Sequence, residues 1–233
     1  MTTMDRSEYL PSVAGIRQCF EKEIASLGGT VRDVVDDGRR LHARAVLPVD
    51  ADVLPGDTIS AGVAVRAVGP VILVYPYTLR LVCTNGATHA YALGLSRLER
   101  FESASVPAPT YEIAMTLAGV RDTVRACAAK HVFARTVSQM RAATAVEANM
   151  ALTLLPLIER LPREMVSRML SGILERFQKG GDRSAFGLVN AVTSLARDAG
   201  DPEERWVLEQ MGGGVLARIG RRVAAGQATA ARG

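Results

Sequence analysis

The hydrophobic pattern of this chain changes period once, near residue 86, and that change divides it into a strand-forming stretch and a helix-forming one. Before the change, Val31-Arg32-Asp33-Val34-Val35 and Arg39 to Leu47 flank the turn dipeptide Asp37-Gly38, the pattern of a β-hairpin. Thr58 to Val68 alternates with β-branched residues, Gly69-Pro70 turns the chain, and Val71 to Tyr75 continues as a buried strand. Leu79 to Thr84 reads as a last strand or the end of that one. Asn85-Gly86 breaks it, because both residues tolerate positive φ.

Helical spacing frames this stretch on both sides. Val13, Ile16, Phe20, Ile24 and Leu27 predict a helix over Pro11 to Leu27, stopped by Gly28-Gly29. Ile113, Leu117, Val120, Val124, Cys127 and His131 step by fours and threes, the seam of one continuous buried helix. Further helices are expected near 148–161, 162–177, 184–199 and 202–217. Pro162 suits a first helical position, and Asp201-Pro202-Glu203-Glu204 joins an N-cap, a first-turn proline and dipole-favoured acids. Gly180-Gly181 and Gly200 serve as stops, while Gly212-Gly213-Gly214 inside the last helix marks a hinge or a close helix contact. The fold class is therefore α+β: an N-terminal helix and an antiparallel β-rich segment, then a helical C-terminal half. Residues 1–110 and 111–220 form one continuous domain, with a frayed tail over 221–233.

A chain of 233 residues with 48% apolar and 22% charged residues can bury a core without disulfides or metals. Cys19, Cys83 and Cys127 are odd in number, widely spaced and remote from any histidine at ligand spacing. That pattern, with no secretory signal order at the N-terminus and no membrane-length apolar run, predicts a cytoplasmic protein with no metal or cofactor. The net charge of +4 permits a nucleic-acid partner without demanding one.

Few residues make a case for catalysis. Cys83 reads as a small core residue at a strand end, although His89 in the following turn offers a route to a cryptic enzyme built on Cys83, Asn85 and His89. His131 lies on the helical seam and His42 in a strand, and no histidine pair has zinc spacing. The glycine groups lack the strand–loop–helix setting of a phosphate loop. The paired acids Asp36-Asp37 and Glu203-Glu204 sit at a turn and a helix start. The charge bias is more suggestive. On one continuous helix Arg121, Arg125 and Arg135 project from one side, as a phosphate-contacting stripe or as a solvated face. Arg39, Arg40 and Arg44 form a second small patch. Tyr75 and Tyr77, alternating to the same face of a strand, are the aromatics best placed to stack on bases.

Two stretches carry a family resemblance. Pro55-Gly56-Asp57 leading through Gly62-Val63 to Arg80-Leu81-Val82-Cys83-Thr84-Asn85-Gly86, and Ala185 to Thr193, are similar to phage/plasmid-like proteins grouped as domain-of-unknown-function family 932. The usual Arg-His pair after Asn-Gly is missing. The resemblance brings no reaction. It implies mobile-element DNA metabolism and, by analogy of architecture, single-strand annealing. On the motif residues, Arg80 is expected to anchor a carboxylate or a phosphate, Cys83 to fill a core site, and Asn85-Gly86 to turn the strand. Asn190, on a helix side with Phe186, Val189 and Thr193, is expected to be a largely buried amide tying that helix to a loop. The resulting expectation is a non-enzymatic, oligomeric protein that binds single-stranded DNA through Arg39, Arg40, Arg44, Arg80, Arg121, Arg125 and Arg135. A structural or regulatory protein-interaction protein of a mobile element is the alternative.

Overall fold

The computed structural model describes residues 10–81, 85–89, 109–159 and 163–230. Helix α1 (Val13–Ser26) precedes five strands, β1 (Thr30–Asp36), β2 (Arg40–Leu54), β3 (Asp57–Val68), β4 (Val71–Arg80) and β5 (Asn85–Thr88). Six helices follow: α2 (Pro109–Cys127), α3 (Lys130–Thr144), α4 (Met150–Ile158), α5 (Arg163–Gly180), α6 (Ala185–Asp198) and α7 (Pro202–Ala230). The fold is the expected α+β arrangement.

The strands lie in chain order in one antiparallel sheet. Gly38, Gly56 and Gly69 supply the positive φ of the first three of the four connections that this order requires. β1 is an outer strand, with a bulge between Val31 and Asp33. β4 runs unbroken through Pro76, which sits where the pairing with β5 ends and costs no ladder bond on that side.

Alternation gives the sheet two unlike faces. Leu41, Ala43, Ala45, Val63, Val65, Ala67, Ile72 and Val74 form an apolar face packed on Ile16, Phe20 and Ile24 of α1 and Val120, Val124 and Cys127 of α2. The intervening residues His42, Arg44, Ala64, Arg66, Tyr75 and Tyr77 point the other way, where the first turns of α7 lie over them through Trp206, Glu203 and Glu209. The helical half has its own core, which Met140, Leu154, Ile173, Phe186, Leu188, Leu208 and Leu216 hold together and which reaches the sheet at Ile59 and Val53.

Three local expectations are corrected. Gly86 is not a positive-φ exit: Asn85–Thr88 is a strand, and Gly86 lacks a Cβ because one would overlap the Tyr77 ring. The helix expected to run through 121–135 is two helices, broken at Ala128-Ala129, where Ala129 is extended. The break changes the phase of the pattern, so His131 is exposed instead of on the seam. Lastly, α7 runs to Ala230, beyond the expected end at Ala217, straight through Gly212 to Gly214. A Cβ on Gly213 would collide with the Thr88 carbonyl oxygen and one on Gly212 with Thr193, so the close-contact reading of the glycines holds. Pro162 lies outside the described residues. Among the described residues no helix is long and apolar enough to cross a membrane.

Candidate functional site

The sheet face under α7 gathers more charge than any other buried part of the described structure. Arg44 enters from β2, and its Nε donates to both Glu209 oxygens, at 2.8 and 2.9 Å, with the side chains only 2% and 1% exposed. Its Nη1 reaches Asp33 Oδ2 of β1 at 3.3 Å. Arg205 of α7 closes the network by donating to Asp33 at 2.6 Å and to Glu209 at 3.2 Å. Toward the start of α7, Arg66 forks onto Glu203 with bonds of 2.9 and 3.1 Å. Trp206 stacks on Tyr75 with ring centroids 5.7 Å apart and planes 23° from parallel, and meets His42 edge-on.

This seam is polar but incompletely satisfied. His42 Nε2 lies 3.2 Å from Glu203 Oε1 without hydrogen-bond alignment, and its Nδ1 has no partner among the described residues. Arg44 Nη2 and Thr88 Oγ1, the latter in the cross-strand pair with Tyr77, are likewise buried and unpartnered. Burial pushes the Glu209 carboxyl above its ordinary value against the pull of Arg44 and Arg205. Burial also lowers the His42 imidazole, with Glu203 pulling the other way. The Tyr77 hydroxyl is raised by burial and then by Glu209.

A second junction unites the stretches that carry the family resemblance. Asp57 receives the Arg80 guanidinium, with Nη2 to Oδ2 at 2.8 Å, and the same guanidinium lies 5.8 Å over the Phe186 ring. Thr78, Arg80, Gly86, Phe186, Asn190 and Thr193 line a cavity of about 20 Å³, space for one water. Arg80 thus anchors a carboxylate, one of its two expected uses. Asn190 is half-buried and lines this cavity, less sequestered than expected. Thr193 is buried, donates to the Val189 carbonyl at 3.0 Å and backs Gly212. Cys83 lies outside the described residues. His89 is buried, with Nε2 2.8 Å from Thr78 Oγ1, and burial draws its imidazole down to about 4.

The expected arginine surface does not assemble. Arg39 and Arg40 sit at the β1–β2 turn, where Arg40 is held by Asp37 at 2.8 Å. Arg40 faces Val68 and Arg80 faces Ile59, so the two lie at opposite ends of β3, about 30 Å apart at strand rise. Arg44 is buried instead of exposed, because Glu209 supplies the countercharge that lets it leave water. Arg121 pairs with Asp122, and Arg125 with Glu23 of α1. Arg135 is exposed on a different helix from both. Tyr75 and Tyr77 do share a face, but they are 5% and 3% exposed beneath α7.

Sequence reasoning missed Asp33, Arg66, Glu203, Arg205, Trp206 and Glu209 as a group. The available signal was Arg44 and Arg66, cations flanked by apolar residues within β2 and β3. Among the described residues no cluster of three His, Cys, Asp or Glu side chains is arranged to hold a metal. No family model, curated protein or solved structure matches the chain.

Proposed function

We propose that the protein is a non-enzymatic nucleic-acid-binding protein of the phage- and plasmid-associated kind, with single-stranded DNA as its ligand. One observation supports this reading: the second face of the sheet carries Arg44, Arg66, His42, Tyr75 and Tyr77 together, opposite a face whose middle is apolar from Leu41 to Ala45, Val63 to Ala67 and Ile72 to Val74. Guanidinium forks match phosphate as they match carboxylate, and tyrosine rings give bases a stacking surface without regard to sequence. Titration of labelled single-stranded oligonucleotides at low ionic strength tests it. Affinity that falls steeply with salt is the expected result; no binding at low salt ends the proposal.

A second reading, a protein-interaction protein that assembles with copies of itself or with another protein, is favoured by exposed apolar pairs at helical spacing. These are Leu152 and Leu155 on α4, 55% and 50% exposed, and Tyr111 and Met115 on α2, 59% and 55% exposed. Light scattering of the purified chain separates the two: stable assembly without oligonucleotide binding supports this second reading.

A further inference from the structure

We infer that the sheet face beneath α7 is itself the single-stranded nucleic-acid site, and that the first turns of α7 occupy it as an internal stand-in for that ligand. The inference rests on the nucleic-acid reading above and adds where the ligand binds and what keeps it out.

The chemistry of the seam is that of a ligand contact. In an antiparallel sheet with one apolar face, the other face ordinarily meets water or a partner, and its alternating residues are polar for that reason. Here those residues meet a helix segment that offers what a nucleic acid would offer. Glu203 and Glu209 present planar anions to Arg66 and Arg44, and Trp206 lays a fused two-ring heterocycle on Tyr75 at stacking distance. Gly62 and Ala64, both small, sit opposite Tyr77 and Tyr75 across β3 and β4, and the Tyr77 ring lies against Gly62.

The seam is also poorly optimised as a permanent core. Four buried side-chain atoms without partners among the described residues, on His42, Arg44 and Thr88, all belong to this face. Each such atom costs stability that an apolar residue would not. Buried ion pairs of this kind at best break even against apolar packing of the same volume. The apolar face of the same sheet carries no such deficit.

The helix has a natural dividing point. Pro202 to Met211 precede Gly212-Gly213-Gly214; Leu208 and Met211 before them and Val215, Leu216 and Ile219 beyond them reach the helical core. Three successive glycines have the lowest helix propensity in α7, although Gly212 and Gly213 are also packed closely on Thr193 and Thr88. On this inference the leading turns move at the glycines while Val215, Leu216 and Ile219 keep the rest of α7 docked, and Leu208 and Met211 must leave the core. Leu208, buried in the helical core, and the Glu204 bond to Arg168 of α5 at 2.7 Å hold the cover closed until a ligand competes for the arginines.

Trp206 is the single tryptophan of the chain and reports on the exchange directly. An oligodeoxythymidylate is titrated into the whole protein at low salt, with strand anisotropy and the accessibility of Trp206 to a neutral quencher followed together. The expected result is a red-shifted, more quencher-accessible Trp206 with the same midpoint as binding. Glu203→Gln, checked for unchanged circular dichroism, is expected to tighten binding about fivefold by releasing Arg66, and Arg66→Gln to weaken it. If the oligonucleotide binds while Trp206 stays shielded and Glu203→Gln leaves affinity unchanged, the α7 inference is overturned and the nucleic-acid reading stands. If neither the wild type nor Glu203→Gln binds, the reading itself fails and the inference falls with it.

Discussion

Arg44 and Glu209, 165 residues apart in the chain, meet as a two-pronged ion pair that is almost wholly excluded from water. The pair fixes which turn of α7 lies over which row of the sheet, because a shift by one turn strands both charges in the interior. Removing one partner leaves the other charged and buried. Glu209→Ala is expected to cost about 3–5 kcal/mol in urea unfolding, and the double change Arg44→Met with Glu209→Leu to recover most of it. Equal losses in the single and double variants contradict this account.

Gly213 packs against the backbone of Thr88, and backbone cannot rotate aside as a side chain can. Gly213→Ala is therefore expected to lower the melting temperature even though alanine favours helix by about 1 kcal/mol. Gly180→Ala, with open space around the added methyl, is expected to be neutral or mildly stabilising. Thermal unfolding of the two variants decides between steric and intrinsic effects, since propensity alone raises both.

Gly86 and Tyr77 are coupled in the same way within the sheet. A methyl at position 86 overlaps the Tyr77 ring and hydroxyl. Gly86→Ala is expected to destabilise by about 1–3 kcal/mol, and pairing it with Tyr77→Leu to restore part of the loss. A double-mutant cycle with no interaction energy contradicts the packing described.

His89 makes stability depend on acid. Its imidazole falls from 6.5 in the unfolded chain to about 4 when folded, so protonation favours the unfolded state. Its contribution is complete above about pH 6.5 and is lost as pH falls toward 4, by about 3 kcal/mol in all. His42, also lowered by burial, adds to the loss; Glu209, raised by burial, opposes it by binding a proton more readily when folded. Urea midpoints of the wild type and His89→Gln across this range test the assignment: the variant's profile is expected to be flatter.

The architecture was legible because periodicity reports backbone and burial together. The hairpin at Asp37-Gly38, the alternation through Thr58–Val68 and the cap at Asp201, whose carboxylate accepts from Glu204 N at 3.2 Å, are all local effects. The break at Ala128-Ala129 was not legible, since alanine carries no stop signal and apolar spacing continued across it. Arginine placement failed for a different reason. A cation's exposure depends on whether a distant carboxylate reaches it, and neither Glu209 for Arg44 nor Glu23 for Arg125 is near in sequence. Tyr75 and Tyr77 share a face as strand alternation requires, but nothing local announces that α7 returns to cover that face. The junction of Asp57, Arg80 and Phe186 had no local signature either, although each residue lay in a stretch singled out by resemblance.

The outer strand β1 carries a bulge, and Asp33 beside it is held by Arg44 and Arg205. At the other side of the sheet, β5 is only four residues long and Gly213 of α7 is pressed on its last residue. Among the described residues, neither border offers a long straight run of free amides and carbonyls of the kind strand addition uses. Among the described residues both borders thus work against lengthening of the sheet, and the features that stiffen its edges also discourage cross-β growth.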